Sequence, residues 1–157
     1  MKKSGFTLVE LMVVVAVIGI LAAFSMPRFQ RAADIKRAAE APQVLNKIAG
    51  AQNAFRLVNG QFLPLDATTE NSANWNRLGL NTPQSNIFRY TSARTLGSIG
   101  SDGMPNPAPT FTATATLITN LSRVAAGTTA TITLNSAGEA RATPDQLKSL
   151  VKSFVND

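Results

Sequence analysis

The chain has 157 residues, 45% of them hydrophobic, and a formal net charge of +6 at pH 7. A chain of this length can hold one domain with a modest core, or a membrane anchor and a smaller domain. It contains no cysteine and no histidine, which excludes disulfides, zinc sites of the usual kinds, Ser-His-Asp triads and imidazole acid–base chemistry.

The basic residues surround the first apolar segment of the chain. Lys2 and Lys3 precede this segment, and four arginine and lysine residues follow it within residues 28–37. Positive charge on the flanks of an apolar segment is typical of a membrane span. DNA binding through the cluster in residues 28–37 is the weaker alternative, and no specific nucleic acid partner is predicted.

Residues 6–26 form an apolar segment that contains one charged residue, Glu10. About 20 such residues in a helix cross the roughly 30 Å of bilayer hydrocarbon. The sequence therefore predicts a transmembrane helix, with Lys2 and Lys3 holding its N-terminus on the cytoplasmic side. A secretory signal peptide is the competing interpretation, because it also has a basic start, an apolar core and small residues near its end.

The start of this segment carries a recognisable motif. After the basic residues it reads GFTLVELMVVVAVIGILAA, and Pro27 follows shortly afterwards. This combination closely resembles the N-terminus of type IV prepilins and of the related pseudopilins of type II secretion systems. The resemblance implies that residues 1–5 are a leader peptide, that the chain is cut between Gly5 and Phe6, and that the new Phe6 amine is methylated.

The resemblance also implies a role for Glu10. A lone charge in hydrocarbon costs about 2.5–3.5 kcal/mol on insertion scales. The resemblance implies that the glutamate of one subunit meets the phenylalanine amine of its neighbour in the filament, and pairing makes a buried charge tolerable. Phe6 and Glu10 are therefore predicted to act in subunit assembly. In an isolated subunit, Glu10 would simply lie at headgroup depth.

Helical spacing continues beyond Pro27. Residues 28–59 are predicted to form an amphipathic helix half that extends the membrane and filament-core half, residues 6–27, and ends at Asn59-Gly60. The predicted apolar stripe consists of Val44, Ile48, Ala51, Phe55 and Val58. This half of the helix should lie against a folded domain.

Three residues are expected to bend the long helix. Pro27 and Pro42 each remove a backbone donor and crowd the preceding turn, so kinks are predicted near both. Gly19 is a weaker point in the membrane half. A helix break at the membrane exit is the alternative interpretation of Pro27.

The remaining residues, 60–157, are predicted to form a globular head. Residues 61–109 read as a loop-rich region with a short strand at residues 87–91, and the resemblance implies that this is the variable region of pilins. Trp75 is expected in the core, with a surface contact as the alternative. Residues 110–138 alternate apolar and polar side chains, which predicts strands of an antiparallel sheet at residues 110–117 and 129–134.

The last segment, residues 143–156, is predicted to be a helix. Thr143 suits its N-cap. One face of the helix carries Leu147, Leu150, Val151, Phe154 and Val155. Many pilins instead end in a loop closed by a cysteine pair, so the stripe is expected to secure the C-terminus here. A surface for a partner is the alternative. The expected fold is α+β: a long kinked helix on a small antiparallel sheet, the lollipop fold of pilins.

No nucleotide-binding, zinc-protease or serine-hydrolase motif occurs in the chain. We therefore predict no enzymatic activity, no cofactor and no metal site. Calcium binding by the loop acids Asp66, Glu70 and Asp102 is left open, since some pseudopilins bind calcium in such loops.

Taken with the resemblance, these features predict the structural subunit of a type IV pilus. It would be a single-pass protein of the inner membrane before assembly and part of a cell-surface helical homopolymer afterwards. The implied partners are a prepilin peptidase and methyltransferase, an assembly platform protein, an ATPase and a secretin. Adhesion, twitching motility and DNA uptake are all functions of such filaments. The alternatives are a type II secretion pseudopilin and a single-span anchor that presents a binding domain without forming a filament.

Overall fold

A computed structural model describes residues 5–66, 72–96, 98–99, 105–106, 108–127 and 130–155. Helices α1 (Leu8–Ala38) and α2 (Glu40–Asn59) form one long bent helix. The second helix packs on a four-stranded antiparallel sheet, and a short C-terminal helix follows the last strand. The expected α+β class, with a long N-terminal helix on a small sheet, is confirmed. Lys2, Lys3, Glu70 and Asp102 lie outside the described residues.

The long helix is interrupted at Ala39, three residues before Pro42. Pro42 cannot donate a hydrogen bond to the carbonyl of Ala38, and its ring crowds that carbonyl. The Ala39 N–H still donates to the Ile35 carbonyl at 3.0 Å, so the chain changes direction without leaving helical geometry. Helix α1 continues through Gly19 and Pro27, and kinks at these two positions stay a prediction.

The buried face of the helix is rotated relative to the predicted stripe. It consists of Ala38, Ala41, Leu45, Ile48 and Gln52. The prediction was right for Ile48 but wrong for Val58, which is 84% exposed. The prediction missed this rotation because the face that packs on the sheet ends in the polar residue Gln52. A prediction based on apolar spacing instead follows the apolar residues next to Gln52 in the sequence. Gly60, at φ 72°, ends the helix as expected.

The sheet has the strand order β1-β4-β5-β6, with every neighbouring pair antiparallel. Its strands are β1 (Phe88–Thr95), β4 (Thr110–Leu117), β5 (Thr131–Asn135) and β6 (Ala140–Thr143). Between β1 and β4 lies a separate ribbon of β2 (Ser98–Ile99) and β3 (Pro105–Asn106). The predicted alternation is confirmed in β4 and β5, where apolar side chains face the helix and threonines line the other side.

Two strands and one helix of the head differ from the predictions. Strand β1 is longer than predicted. Strand β6 was not predicted, because its sequence ARAT is short and its alternation is carried by alanine alone, a weak strand former. Helix α3 (Ser72–Arg77) lies in a tract predicted to be a loop. It carries Trp75, which is 1% exposed and donates its indole N–H to the Asp66 carbonyl at 3.0 Å. The prediction that Trp75 belongs to the core is confirmed.

The C-terminal helix α4 (Asp145–Leu150) is shorter than predicted. Thr143 pairs with Thr131 as the last residue of β6, so the prediction that it caps the helix was wrong. Pro144 occupies the N-cap position and forms no side-chain cap. Leu147, Val151 and Val155 are nevertheless buried in the core. The predicted apolar stripe therefore does secure the C-terminal segment, as expected.

Candidate functional site

The apolar half of helix α1 is uncovered by the rest of the protein. The helix that begins at Leu8 is the one in the described residues that is long and apolar enough to cross a membrane, and none of its most apolar 18-residue window, of mean hydropathy 2.6, is buried. Exposed side chains include Val13, Ile18, Leu21 and Phe24. Apolar surface in water is unfavourable by about 25 cal/mol per Å². This surface therefore requires either lipid or other apolar helices around it.

A capping box starts helix α1 at the edge of this surface. Thr7 is the N-cap, and its hydroxyl accepts a hydrogen bond from the Glu10 N–H at 3.3 Å. The Glu10 carboxylate in turn accepts from the Thr7 N–H and from the Thr7 hydroxyl, each at 2.8 Å. The two side chains satisfy backbone donors that the first turn of a helix leaves free.

The carboxylate of Glu10 keeps one oxygen available. Both hydrogen bonds from Thr7 end on Oε2, so within the described residues Oε1 accepts none. Phe6 is 85% exposed and lies just before the helix. Glu10 is exposed, so a cation from another molecule can reach this oxygen at the end of the apolar surface.

The bond between Gly5 and Phe6 precedes the helix. Both residues are exposed and have no regular secondary structure. No atom lies within 4 Å of the position that a Cβ of Gly5 would occupy. The predicted cleavage site is therefore in an open segment that an enzyme can reach, and Gly5, Phe6 and Glu10 lie at one end of the molecule.

Two carboxylates of the long helix, Asp34 and Glu40, accept hydrogen bonds from the head, and neither contact was predicted from the sequence. The Ser122 N–H donates to Asp34 Oδ2 at 3.0 Å, and the Tyr90 hydroxyl donates to Glu40 Oε1 at 3.0 Å. Burial, the charge of Glu40 and this hydrogen bond raise the pKa of Tyr90 above its ordinary value. The available signal was the pair of acids, Asp34 and Glu40, within a mostly basic helical segment.

The described residues contain no group of three or more histidine, cysteine, aspartate or glutamate side chains that could hold a metal ion. Of the three acids considered for calcium, Asp66 alone lies in the part of the chain that the structure describes. The candidate functional site is therefore the uncovered apolar surface of helix α1, with Phe6 and Glu10 at its start.

Comparison with known proteins finds relatives of two kinds. Residues 1–26 match a family model described as the prokaryotic N-terminal methylation motif. The chain is 36% identical over 104 residues to fimbrial protein EcpB of Eikenella corrodens, a match that covers 62% of this chain and 63% of that protein. It is 31% identical over 122 residues to type II secretion system core protein G of Pseudomonas aeruginosa, covering 65% of this chain and 86% of that protein.

A further relative is the type IV major pilin protein PilA of Myxococcus xanthus, which is 44% identical over 54 residues, or 34% of this chain and 24% of that protein. The chain thus spans less than two thirds of EcpB and of PilA, but most of core protein G. The matches to EcpB and core protein G reach well beyond the N-terminal motif. No solved structure gives a significant match.

Proposed function

Because the chain belongs to the family of type IV pilins and the related type II secretion pseudopilins, we propose that it is the structural subunit of a type IV pilus. The observation that carries the proposal is the uncovered apolar half of helix α1, joined to a head with its own core. Such a helix can be solvated by lipid in one state and by other copies of itself in another. The relatives are structural proteins, and no catalytic role is proposed for this chain.

The first step of the proposed life cycle is maturation. A prepilin peptidase cuts the chain between Gly5 and Phe6, and the same enzyme methylates the Phe6 amine. Two observations support this step: residues 1–26 match the methylation motif, and the bond to be cut lies in an exposed segment before the helix. Maturation places a positive charge at Phe6, four residues before Glu10.

The second step is assembly into a helical homopolymer. Glu10 of one subunit pairs with the Phe6 amine of its neighbour, and lipid contacts of helix α1 are exchanged for contacts between helices. The uncommitted Oε1 of Glu10 supports this pairing. In a low-dielectric surrounding, removal of either partner leaves the other as an unpaired buried charge, which is strongly unfavourable. The pair therefore specifies the register between subunits.

The proposal also includes the location of the protein and its partners. Before assembly, residues 6–27 cross the inner membrane with Lys2 and Lys3 on the cytoplasmic side, and the head lies on the other side. An assembly platform protein and its ATPase move the subunit into the filament, and a secretin passes the filament through the outer membrane. The exposed apolar helix and the family membership support a membrane-anchored subunit that later becomes part of a surface filament.

A second candidate function is that of a pseudopilin in a type II secretion system. The match that spans 86% of core protein G at 31% identity favours it. The same helix, maturation and pairing would then build a short periplasmic filament. The two candidates share the chemistry of Phe6 and Glu10 and differ in where the filament is found.

Electron microscopy of material sheared from the cell surface, with antibody labelling of the head, tests the proposal. A pilin gives long labelled filaments in the sheared fraction. Labelled protein that stays with the cell envelope, together with loss of protein secretion when the chain is deleted, favours the pseudopilin. Absence of any filament when the chain is overproduced with its assembly machinery contradicts both and favours a single-span anchored binding domain.

A further inference from the structure

A cleft of about 160 Å³ lies where helix α1 leaves its apolar segment and meets the head. Its volume corresponds to roughly five water molecules in the liquid. Helix α1 contributes Pro27, Gln30, Arg31 and Asp34 to the walls, and the loop after β4 contributes Ser122 and Arg123. The remaining wall comes from helix α4. Nothing in the proposed assembly role uses this cleft.

The cleft contains a buried carboxylate without a counter-charge. Asp34 is 5% exposed, and its Oδ2 accepts the Ser122 N–H at 3.0 Å. Within the described ranges it accepts no other hydrogen bond and forms no ion pair. A carboxylate removed from water is normally paired. Arg31 and Arg123 line the same cleft with exposed side chains, so one site offers both a binding group for a cation and two binding groups for an anion.

The position of the cleft along helix α1 indicates which molecules can reach it. Residues 8–26 are about 28 Å long as a helix, at 1.5 Å per residue, which is close to the roughly 30 Å of bilayer hydrocarbon. Pro27 follows directly and lines the cleft. When α1 spans a membrane, the cleft therefore lies in the headgroup layer of the leaflet on the side of the head.

We propose that this cleft binds the headgroup of a zwitterionic phospholipid that carries a primary amine, such as phosphatidylethanolamine. Arg31 and Arg123 bind its phosphate, and Asp34 accepts hydrogen bonds from its ammonium group, since charge-assisted hydrogen bonds of both kinds are strong. Phosphatidylglycerol offers the phosphate without an ammonium group, and phosphatidylcholine has no N–H to donate. The assignment rests on the membrane-inserted state of the proposed function.

Native mass spectrometry of the full-length chain in detergent tests the assignment. The chain is supplied with equal amounts of phosphatidylethanolamine, phosphatidylglycerol and phosphatidylcholine that have the same acyl chains. The ethanolamine lipid should be retained about tenfold over the other two, which is the effect of one charge-assisted hydrogen bond. Equal retention of the three lipids overturns the proposal.

Substitutions separate the roles of the cleft residues. Asp34→Asn keeps an oxygen for the Ser122 N–H, so the head should melt as in the wild type while the preference for the ethanolamine lipid over phosphatidylglycerol is lost. Arg31→Gln combined with Arg123→Gln should lower retention of both lipids. Arg89→Gln combined with Arg141→Gln, which removes two positive charges from exposed positions of β1 and β6, is the control for the double variant and should change the retention of neither lipid. A preference unchanged by Asp34→Asn overturns the proposal.

Two further readouts exclude other occupants and separate this proposal from the function on which it rests. Soluble phosphoethanolamine at the lipid concentration should not displace the lipid, and displacement would overturn the assignment to a lipid. Weakened self-association of Asp34→Asn without any lipid preference would indicate a second copy in the cleft and also overturn it. Insertion is measured by co-elution with lipid nanodiscs: failure to insert contradicts the proposed function, whereas insertion without headgroup preference contradicts the lipid site alone.

Discussion

The carboxylate of Glu10 accepts two hydrogen bonds of 2.8 Å from Thr7, one from its backbone N–H and one from its hydroxyl, and both end on Oε2. A single side chain thus caps its own helix and leaves Oε1 for a partner. The capping role is intramolecular and available to one subunit alone. The proposed pairing with a neighbouring Phe6 amine uses the other oxygen, so the two roles can be separated by substitution.

Glu10→Val is expected to abolish filaments while membrane insertion stays intact. Valine suits the bilayer at least as well as glutamate, but the neighbouring Phe6 amine is left as an unpaired charge among apolar helices. Electron microscopy of sheared material reads out filaments, and membrane fractionation reads out insertion.

Thr7→Ala is the matched control, because it removes two of the three capping contacts and keeps the charge of Glu10. The loss of an N-cap costs about 1 kcal/mol of local helix stability, and filaments should persist. Normal filaments from Glu10→Val, or none from Thr7→Ala, would refute the division of roles between the two oxygens.

Processing at the leader is expected to depend on Gly5. Mass spectrometry of the mature N-terminus should find Phe6 as the first residue, with a methylated amine. Gly5→Leu introduces a bulky side chain beside the bond to be cut and should leave the chain uncut, because a peptidase must approach the backbone closely there. An uncut Met1 in the wild-type chain, or a cut after Ala23 or Ser25, would contradict the proposed maturation.

The Tyr90–Glu40 contact gives the stability of the head a dependence on alkaline pH. Burial, the charge of Glu40 and their hydrogen bond raise the pKa of Tyr90 above its ordinary value of about 10. The fold favours the neutral phenol, so its contribution is complete below about pH 10 and is lost as the pH rises through the higher pKa of the folded state. Tyr90 is the one tyrosine in the sequence, so tyrosinate absorbance reports its titration directly.

Tyr90→Phe measures the same contact by unfolding. It should cost about 1 kcal/mol at neutral pH, the contribution of a typical hydrogen bond, and this difference from the wild type should shrink above about pH 10. Fluorescence of Trp75, the one tryptophan, follows the unfolding of the head in urea. A Tyr90 titration at its ordinary pKa, with a stability difference that is independent of pH, would show that the contact is absent in solution.

Gln52 is expected to be the most sensitive polar residue of the core. It is fully buried, and its amide accepts the Leu63 N–H at 2.9 Å and donates to the Leu63 carbonyl. Gln52→Leu leaves both backbone groups buried without partners, which costs about 1–3 kcal/mol each. Unfolding followed by Trp75 fluorescence should show a loss of about 2–6 kcal/mol in the free energy of unfolding, the sum for the two groups.

Asn53→Leu is the control for Gln52→Leu, because it makes the same kind of change at the next, exposed position of helix α2. Its effect on the free energy of unfolding should stay within about 0.5 kcal/mol. If the two substitutions have equal effects, the buried face of α2 described above is incorrect.

Gln52 also shows where sequence reasoning reached its limit. Strand β4 was predictable because each residue of TFTATATL has an unambiguous preference for one face of a sheet. Helix α2 was predictable as an element, but its buried face was not, since a glutamine that satisfies a loop backbone looks like a surface residue. Strand β6 was missed because its four residues alternate only alanine with polar side chains, which is a weak strand signal, and the strand is specified by its pairing with β5.

The residues of the candidate site were easier to predict from the sequence than the contacts between the helix and the head. Gly5, Phe6 and Glu10 are neighbours along the chain, so their short separation in sequence alone places them together. The contact of Asp34 with Ser122 joins residues 88 positions apart, and no local sequence pattern predicts it. Contacts between the head and the long helix could be identified only from the structure.

The most direct test of the account is the structure of the assembled filament, determined by electron cryomicroscopy. We expect the Phe6 nitrogen of each subunit to lie about 2.7–2.9 Å from a carboxylate oxygen of Glu10 in a neighbouring subunit, the length of a charge-assisted hydrogen bond. A filament in which Glu10 faces lipid or water, far from every terminal nitrogen, would contradict it.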